Sequence, residues 1–143
     1  MTQRMRWGLH MSTPQFTQLD HVSVLITDVA RSRRFYRDVL GLKEIPKPRT
    51  FDFVVLWFNL GNMHIHLLLK DKPDTISARH FALRVADVAT ARSYFAERGV
   101  AIQETTLIPG ADRFFIHDPD GNRIEIIQWL ESYGRAAQAD ALA

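Results

Sequence analysis

Four side chains able to bind a divalent metal recur in the sequence at a constant spacing. His21 and His66 are 45 residues apart. His80 and Glu125 are separated by the same interval. Imidazole nitrogen and carboxylate oxygen are donors that suit zinc, nickel, iron(II), cobalt and manganese. A lone histidine on a strand is usually structural, but two pairs with equal spacing favour a metal centre over four unrelated positions.

The equal spacing arises because the chain repeats itself. A shift of 59 residues lays segment 19–36 over segment 78–95 without a gap, so that His21 falls on His80. After one residue is dropped and later restored, the segment around His66 overlies the segment around Glu125 at the same shift. Such a repeat predicts two copies of one structural module. The modules cover about residues 16–70 and 77–131.

Each copy is predicted to be a β-α-β-β-β module, which gives an α+β fold. In the first copy, alternating apolar residues predict a strand at 21–26, and Asp28 is a good N-cap for a helix that ends at Gly41. The other strands of this copy are predicted at 42–45, 51–60 and 63–69. The second copy repeats the plan with a helix from Asp87 to Gly99. Its strands are predicted near 80–85, 100–104, 113–117 and 123–129.

The strand pattern also predicts where the donors point. His66 lies opposite the apolar stripe that contains Ile65 and Leu67, and the other three donors have the same parity in their strands. Two modules related by a pseudo-twofold axis bring equivalent positions together, so the four donors are predicted to converge on one metal ion. His64 shares the parity of His66 and is the rival ligand. The repeat aligns it with Arg123, a residue that does not bind metals, so His66 is preferred.

Composition narrows the classes of function. The hydrophobic share of 46% and the charged share of 24% are those of an ordinary globular protein. A length of 143 residues fits one domain, which is predicted at 16–134 between tails at 1–15 and 135–143. The formal charge of +2 does not predict nucleic-acid binding. No apolar run approaches the roughly 20 residues of a membrane span. The absence of cysteine excludes disulfides and thiolate ligands, and it favours a cytoplasmic location.

The motifs of this chain resemble those of the vicinal oxygen chelate superfamily. That superfamily includes glyoxalase I, extradiol dioxygenases, methylmalonyl-CoA epimerase, and fosfomycin-resistance and bleomycin-binding proteins. The resemblance covers roughly residues 17–130 and implies tandem βαβββ modules that form a half-open mixed β-barrel around a metal site. The family's ligand positions fall on the four donors named above. The matching segments are Leu19-Asp20-His21-Val22, Phe35-Tyr36-Arg37-Asp38-Val39-Leu40-Gly41-Leu42, and Phe115-Ile116-His117-Asp118-Pro119-Asp120-Gly121-Asn122 leading to Ile124-Glu125.

The resemblance implies a small glyoxalase-like enzyme of the isomerase or lyase type. Such an enzyme holds a divalent metal, chelates a small substrate through adjacent oxygens and stabilises an enediolate-like intermediate. Glu125 is the expected catalytic residue, because it would bind the metal and carry a proton once the substrate displaces it. Bacterial-type glyoxalase I usually carries glutamate where His66 stands, which argues against a glutathione-dependent activity. The family also commonly forms homodimers, so a homodimer is expected.

Five further side chains are candidates for the wall of the substrate pocket. Arg84 shares the parity of His80 and could meet an anionic substrate, although a surface ion pair explains it equally well. Two other functions stay open: an Fe(II) extradiol-type ring-cleaving dioxygenase, and a non-catalytic drug-binding or resistance protein. The full donor set argues against the non-catalytic alternative. The pocket candidates are Phe51, Phe53, Trp57, Arg84 and Phe115.

Overall fold

The computed structural model describes residues 13–51, 53, 55–133 and 135, which form two four-stranded sheets, one from each half of the chain. In both sheets the first and last strands pair in parallel and the other pairs are antiparallel. Sheet A has the order β1-β4-β3-β2, with β1 at His21–Ile26, β2 at Lys43–Ile45, β3 at Val55–Leu60 and β4 at Met63–Leu69. Sheet B has the order β5-β8-β7-β6, with β5 at His80–Arg84, β6 at Gln103–Glu104, β7 at Ala111–His117 and β8 at Arg123–Trp129. The prediction of a duplicated, half-open α+β fold is confirmed.

One helix follows the first strand of each module, as the capping residues predict. Helix α1 spans Val29–Arg33, and Asp28 Oδ1 accepts a hydrogen bond from a backbone N–H of its first turn at 2.8 Å. Helix α2 spans Val88–Glu97, and Asp87 caps it in the same way at 2.9 Å. The two modules therefore begin with the same locally encoded strand-cap-helix unit.

The second half of the first helix differs from the regular α-helix that the sequence predicted. Residues Arg34–Val39 form a π-helix, in which the Leu40 N–H donates to the carbonyl of Phe35, five residues earlier. The wider turn inserts one residue and lets two neighbouring aromatic side chains, Phe35 and Tyr36, both be buried. No residue type signals a π-turn, so the apolar pattern predicted only a helix.

Some strand boundaries also differ from the prediction. The strand predicted at 51–60 begins only at Val55, and Phe51 and Phe53 precede it; residues 52 and 54 lie outside the described part of the chain. Lys47 donates to the Phe51 carbonyl at 2.7 Å, which closes a loop where sheet pairing was expected. The strand predicted at 100–104 is reduced to β6. The tails predicted at 1–15 and 135–143 lie mostly outside the described residues.

Both sheets contribute to one apolar core, which the helices cover. Ile65 and Leu67 of β4 and Ile124 and Ile126 of β8 are each at most 1% exposed. Side chains with the opposite parity in these strands point away from the core, and these are the positions of the candidate donors. Within the described residues, no helix has the length and apolar character needed to cross a membrane.

A tight turn at residues 118–122 of the second module forms hydrogen bonds with the first module. The buried Tyr36 hydroxyl donates to Asp118 Oδ2 at 2.8 Å, and the Asn122 side-chain amide donates to the Leu25 carbonyl at 2.7 Å. In the same turn, Asp120 Oδ2 accepts a hydrogen bond from the Thr27 backbone N–H at 3.1 Å. These contacts fix the start of β8 against the end of β1, and β8 carries Glu125.

Candidate metal centre

The four candidate donors form two pairs at equivalent positions in the two sheets. In sheet A, the parallel register of β1 and β4 places His66 two residues beyond the partner of His21. In sheet B, the register of β5 and β8 places Glu125 two residues beyond the partner of His80. Each pair is therefore a diagonal contact between two parallel strands, as the internal repeat requires. We call His21 with His66 half-site A, and His80 with Glu125 half-site B.

Half-site A is a stack of aromatic rings. The His21 and His66 ring centroids are 4.2 Å apart, and Trp57 stacks on His66 at 3.9 Å with an interplanar angle of 6°. Although buried, His66 Nε2 and Trp57 Nε1 have no hydrogen-bond partner among the described residues. The Nδ1 of His21 contacts an Asp20 carboxylate oxygen at 2.7 Å, which leaves its Nε2 available as a ligand atom. Half-site A thus presents two imidazole nitrogens, His21 Nε2 and His66 Nε2, for which no partner is found in the described part of the chain.

Half-site B is a polar cluster around a buried carboxylate. Glu125 is 6% exposed, and its Oε2 lies 3.0 Å from His80 Nε2. Two atoms bound to one cation at about 2.1 Å and a right angle are about 3.0 Å apart, so this spacing suits a shared cation. His80 Nδ1 contacts the Ala78 carbonyl at 2.8 Å, and Arg113 Nη1 donates to Glu125 Oε1 at 3.1 Å.

The two half-sites do not merge within one chain. The sequence predicted that all four donors would converge, but the described residues contain no group of three or more metal-binding side chains arranged around one point. His64, the rival ligand, has its ring centroid 5.7 Å from that of His66. One chain therefore supplies two separate donor pairs.

Three of the predicted pocket residues lie beside half-site A. Trp57 is the register partner of His66, and Phe51 lies 6.1 Å from Trp57 between ring centroids. The Phe53 ring lies 5.2 Å from that of Phe51 and is tilted against it, and Phe53 is 53% exposed. This half of the site is aromatic, and the exposed Phe53 forms its outer edge.

The other two predicted residues lie in sheet B. Phe115 is the register partner of Glu125, and its ring is 5.0 Å from that of His80 in an edge-to-face arrangement. Arg84 is exposed, and its alternation with His80 in β5 places it on the same face of the sheet. The two sheets thus place an aromatic residue, Trp57 or Phe115, at the same position beside the donor.

Two arginines near Glu125 were missed by the sequence analysis. Arg113 forms the ion pair with Glu125, and Arg123 lies with its guanidinium carbon 3.6 Å from the Phe115 ring centroid. Arg123 is two residues from Glu125 on the same strand, so parity alone places it on the same face. Arg113 has the parity of Phe115 in β7 and is the register partner of Ile127, so alternation also places it on this face, diagonal to Glu125.

A cavity of about 360 Å³ lies along the seam between β1 and β5. His80 and Arg123 line it from sheet B, and Ser23 lines it from sheet A. Its outer wall includes Arg79, which forms an ion pair with Asp74 at 2.9 Å. The cavity is large enough for a small molecule and borders half-site B.

Burial perturbs the ionisation of His66. Desolvation, together with the neighbouring imidazoles of His21 and His64, lowers the pKa of His66 to about 4, although Asp20 opposes the shift. The ring is therefore neutral at pH 7. A neutral imidazole binds a metal without first losing a proton.

This lowered pKa predicts a specific loss of stability in acid. Between about pH 6.5 and pH 4 the unfolded chain binds a proton at His66 that the folded chain does not, so this group lowers the free energy of unfolding as the pH falls. Between pH 7 and pH 5 the loss is about 2 kcal/mol. Urea unfolding of metal-free protein at both pH values measures it.

The matched variants are His66→Phe, which keeps a ring against Trp57, and His117→Phe at an exposed position. Between pH 7 and pH 5, the free energy of unfolding of His66→Phe should fall by about 2 kcal/mol less than that of the wild type. The fall in His117→Phe should be close to that of the wild type. An equal pH dependence in wild type and His66→Phe would contradict the assigned ionisation.

Two tandem βαβββ modules, each with a diagonal pair of polar donors on its outer face, define a class of duplicated α+β proteins. The sequence matches the family model of the Glyoxalase/Bleomycin resistance protein/Dioxygenase superfamily over residues 18–126. The chain belongs to this superfamily.

Known proteins support the same assignment. "Glyoxylase I 4" of Arabidopsis thaliana is 31% identical over 121 residues, which cover 77% of this chain and 70% of the relative. The "Trivalent organoarsenical cleaving enzyme" of Bacillus sp. (strain MD1) is 28% identical over 114 residues, which cover 73% of this chain and 69% of the relative. The crystal structure of a glyoxalase family protein from Bacillus anthracis has a TM-score of 0.76 and 28% identity, and the match covers 82% of this chain and 98% of that protein.

Proposed function

We propose that the protein is a divalent-metal-dependent enzyme of the glyoxalase-like isomerase or lyase type that chelates a small substrate through two adjacent oxygens. The observation that carries this proposal is the presence of two donor pairs at equivalent register positions of a duplicated fold. The relative named as a glyoxylase and the relative named as an organoarsenical cleaving enzyme support an enzymatic role.

The donor set suits a divalent cation. His66 is buried and neutral, and its Nε2 has no partner among the described residues. His21 and His80 each contact an oxygen through Nδ1, which orients the ring. This leaves His21 Nε2 for a metal and directs His80 Nε2 toward Glu125 Oε2, where both atoms could bind one cation. Three imidazoles and one carboxylate are compatible with zinc, nickel, iron(II), cobalt or manganese.

A homodimer would complete the metal centre. Because one chain keeps its half-sites apart, we propose that half-site A of one chain faces half-site B of its partner. Twofold symmetry then creates two identical four-donor centres. Both β1 and β5 are the outer strands of their sheets and line one cavity, so a second copy that covers this cavity would contact the strands that carry His21 and His80.

In this proposal Glu125 transfers the proton. The bound metal would supply Lewis-acid polarisation of the two substrate oxygens. Glu125 is almost fully buried, and the ion pair with Arg113 fixes the orientation of its carboxylate. A carboxylate held in this way can remove the proton from the hydroxyl-bearing carbon of an α-hydroxycarbonyl compound and return it to the former carbonyl carbon. The hydroxyl proton passes to the former carbonyl oxygen, and the net change is an isomerisation.

A second candidate is an Fe(II)-dependent ring-cleaving dioxygenase. His80, Glu125 and one imidazole of half-site A would make a set of two histidines and one carboxylate, which is typical of non-haem iron oxygenases. Oxygen consumption with catechols by iron-loaded protein, absent under anaerobic conditions, would favour this candidate. Turnover without oxygen favours the isomerase or lyase.

Complementation between two inactive variants tests the proposed centre. His66→Ala damages half-site A, and Glu125→Gln damages half-site B, so each homodimer should lose both tight metal binding and turnover. Random exchange of chains makes half of the dimers mixed, and each mixed dimer has one intact centre. The mixture should therefore regain about a quarter of the wild-type metal and activity. No recovery in a mixture shown to contain mixed dimers would contradict a centre shared between chains.

A further inference from the structure

The outer faces of the two sheets differ in charge although their strands are equivalent. Face B is the set of side chains of sheet B that point away from the core around Glu125. It carries Arg84, Arg113 and Arg123 around this one carboxylate. In sheet A, the residue at the repeat position of Arg123 is His64. The duplication has therefore produced a positively charged half and an aromatic half.

One of these arginines, Arg113, already forms hydrogen bonds within the chain. Arg113 Nη1 donates to Glu125, and its Nε and Nη2 both donate to the Thr106 carbonyl, at 3.1 and 2.8 Å. Its side chain is 16% exposed. Arg113 is therefore a residue that positions Glu125, and its charge is largely balanced by that carboxylate.

Arg123 is held in place but not neutralised. Its guanidinium lies over the Phe115 ring at 3.6 Å, and the described residues place no carboxylate within ion-pair distance of it. Stacking on an aromatic face fixes a guanidinium while leaving its in-plane N–H donors free. This arrangement suits the recognition of a planar or tetrahedral oxyanion.

Arg123 lies beside the donor pair of half-site B and lines the cavity. Arg123 is the register partner of His80, and both line the cavity of about 360 Å³. The nearby wall adds the neutral hydroxyl of Ser23. An oxyanion bound to Arg123 would therefore lie near the donors of half-site B and next to a space sized for a small molecule.

We propose that Arg123 binds an anionic group of the substrate, a carboxylate or a phosphate, while the adjacent oxygens of the same molecule occupy the metal centre. The substrate class is thus an α-hydroxycarbonyl compound with an anionic substituent. The proposal rests on the proposed function, because it names the substrate class of that site. Face B supplies the charge, and the aromatic residues of half-site A contact the rest of the ligand.

Calorimetric titration with matched probes tests this assignment in the full-length protein. Dihydroxyacetone phosphate is compared with dihydroxyacetone, and 5-hydroxylevulinate with 1-hydroxybutan-2-one. Each pair shares adjacent oxygens and differs in an anionic group, a phosphate in the first pair and a carboxylate in the second. The wild-type protein should bind at least one anionic probe about tenfold or more tightly than its neutral counterpart. The pair that shows the preference identifies the anion.

Substitutions at Arg123 assign the preference to this side chain. Arg123→Met keeps an unbranched stem over Phe115 and should abolish the preference, while Arg123→Lys keeps the charge and should restore part of it. Arg98→Met is the matched control, because Arg98 also stacks on an aromatic ring at 3.6 Å but lies beyond α2, over Tyr94. The control should keep the full preference.

Metal content, measured by elemental analysis in parallel, separates this proposal from the proposed function. A preference for anionic probes that persists in metal-free wild-type protein and disappears in Arg123→Met supports the role of Arg123 even if no metal binds tightly. Equal affinities for charged and neutral probes, or a preference that Arg123→Met leaves intact, would overturn it. Loss of metal from Arg123→Met would also overturn it, since Arg123 would then act on the metal centre and not on the ligand.

Discussion

Replacement of Glu125 by glutamine is expected to lower turnover by about 10²–10⁴-fold, the usual contribution of a positioned proton-transfer group. The amide keeps the size of the side chain and an oxygen that can accept the Arg113 hydrogen bond. It removes the negative charge that would bind a cation and the basic oxygen that would accept a proton. The fold should therefore survive while the chemistry is lost.

The measurement is the incorporation of solvent deuterium into dihydroxyacetone phosphate, followed by NMR, since proton transfer next to the carbonyl exchanges that hydrogen. Glu97→Gln is the control, because Glu97 lies exposed at the end of α2. Circular dichroism and the thermal midpoint verify that both variants are folded. If the wild type exchanges deuterium and Glu125→Gln does so at an equal rate, Glu125 is not the proton-transfer group.

The fold was largely predictable from the sequence because the internal repeat and the local signals agree. Asp28 and Asp87 cap helices at equivalent positions, and three predicted strands, His21–Ile26, Met63–Leu69 and Arg123–Trp129, have the predicted bounds. Alternation in these strands also fixes which residues face the core. Consistency between local signals and the global repeat is the reason that the prediction succeeded.

The assembly of the site was less predictable. A repeat predicts that equivalent positions are related by symmetry, but it does not say whether they meet within one chain or between two. In the described residues the donors form two pairs. Strand parity places Arg113 on the same face as Glu125, but the hydrogen bond between them also depends on the conformation of a long side chain, which the sequence does not predict. The four donors and their roles therefore stay a proposal.

Replacement of Asp118 by alanine is expected to lower the free energy of unfolding by about 3–5 kcal/mol, since it removes a buried charged group from its hydrogen-bond network. Asp118 is 5% exposed. Its Oδ1 accepts the backbone N–H groups of Asp120 and Asn122, both at 2.9 Å, and its Oδ2 accepts the Tyr36 hydroxyl. The variant would leave the Tyr36 hydroxyl buried without this acceptor.

Urea unfolding of Asp118→Ala and of three further variants assigns this loss to the network. Asp38→Ala is the control, because Asp38 forms an exposed ion pair with Arg37 and should cost no more than about 1 kcal/mol. Tyr36→Phe removes only one hydrogen bond to Asp118, for a cost of about 1.5–3 kcal/mol, and should cost less in the Asp118→Ala background because the two residues are coupled. Additive losses would show that Tyr36 and Asp118 stabilise the fold independently. Coupled losses would show that the Tyr36–Asp118 hydrogen bond between the modules itself stabilises the fold.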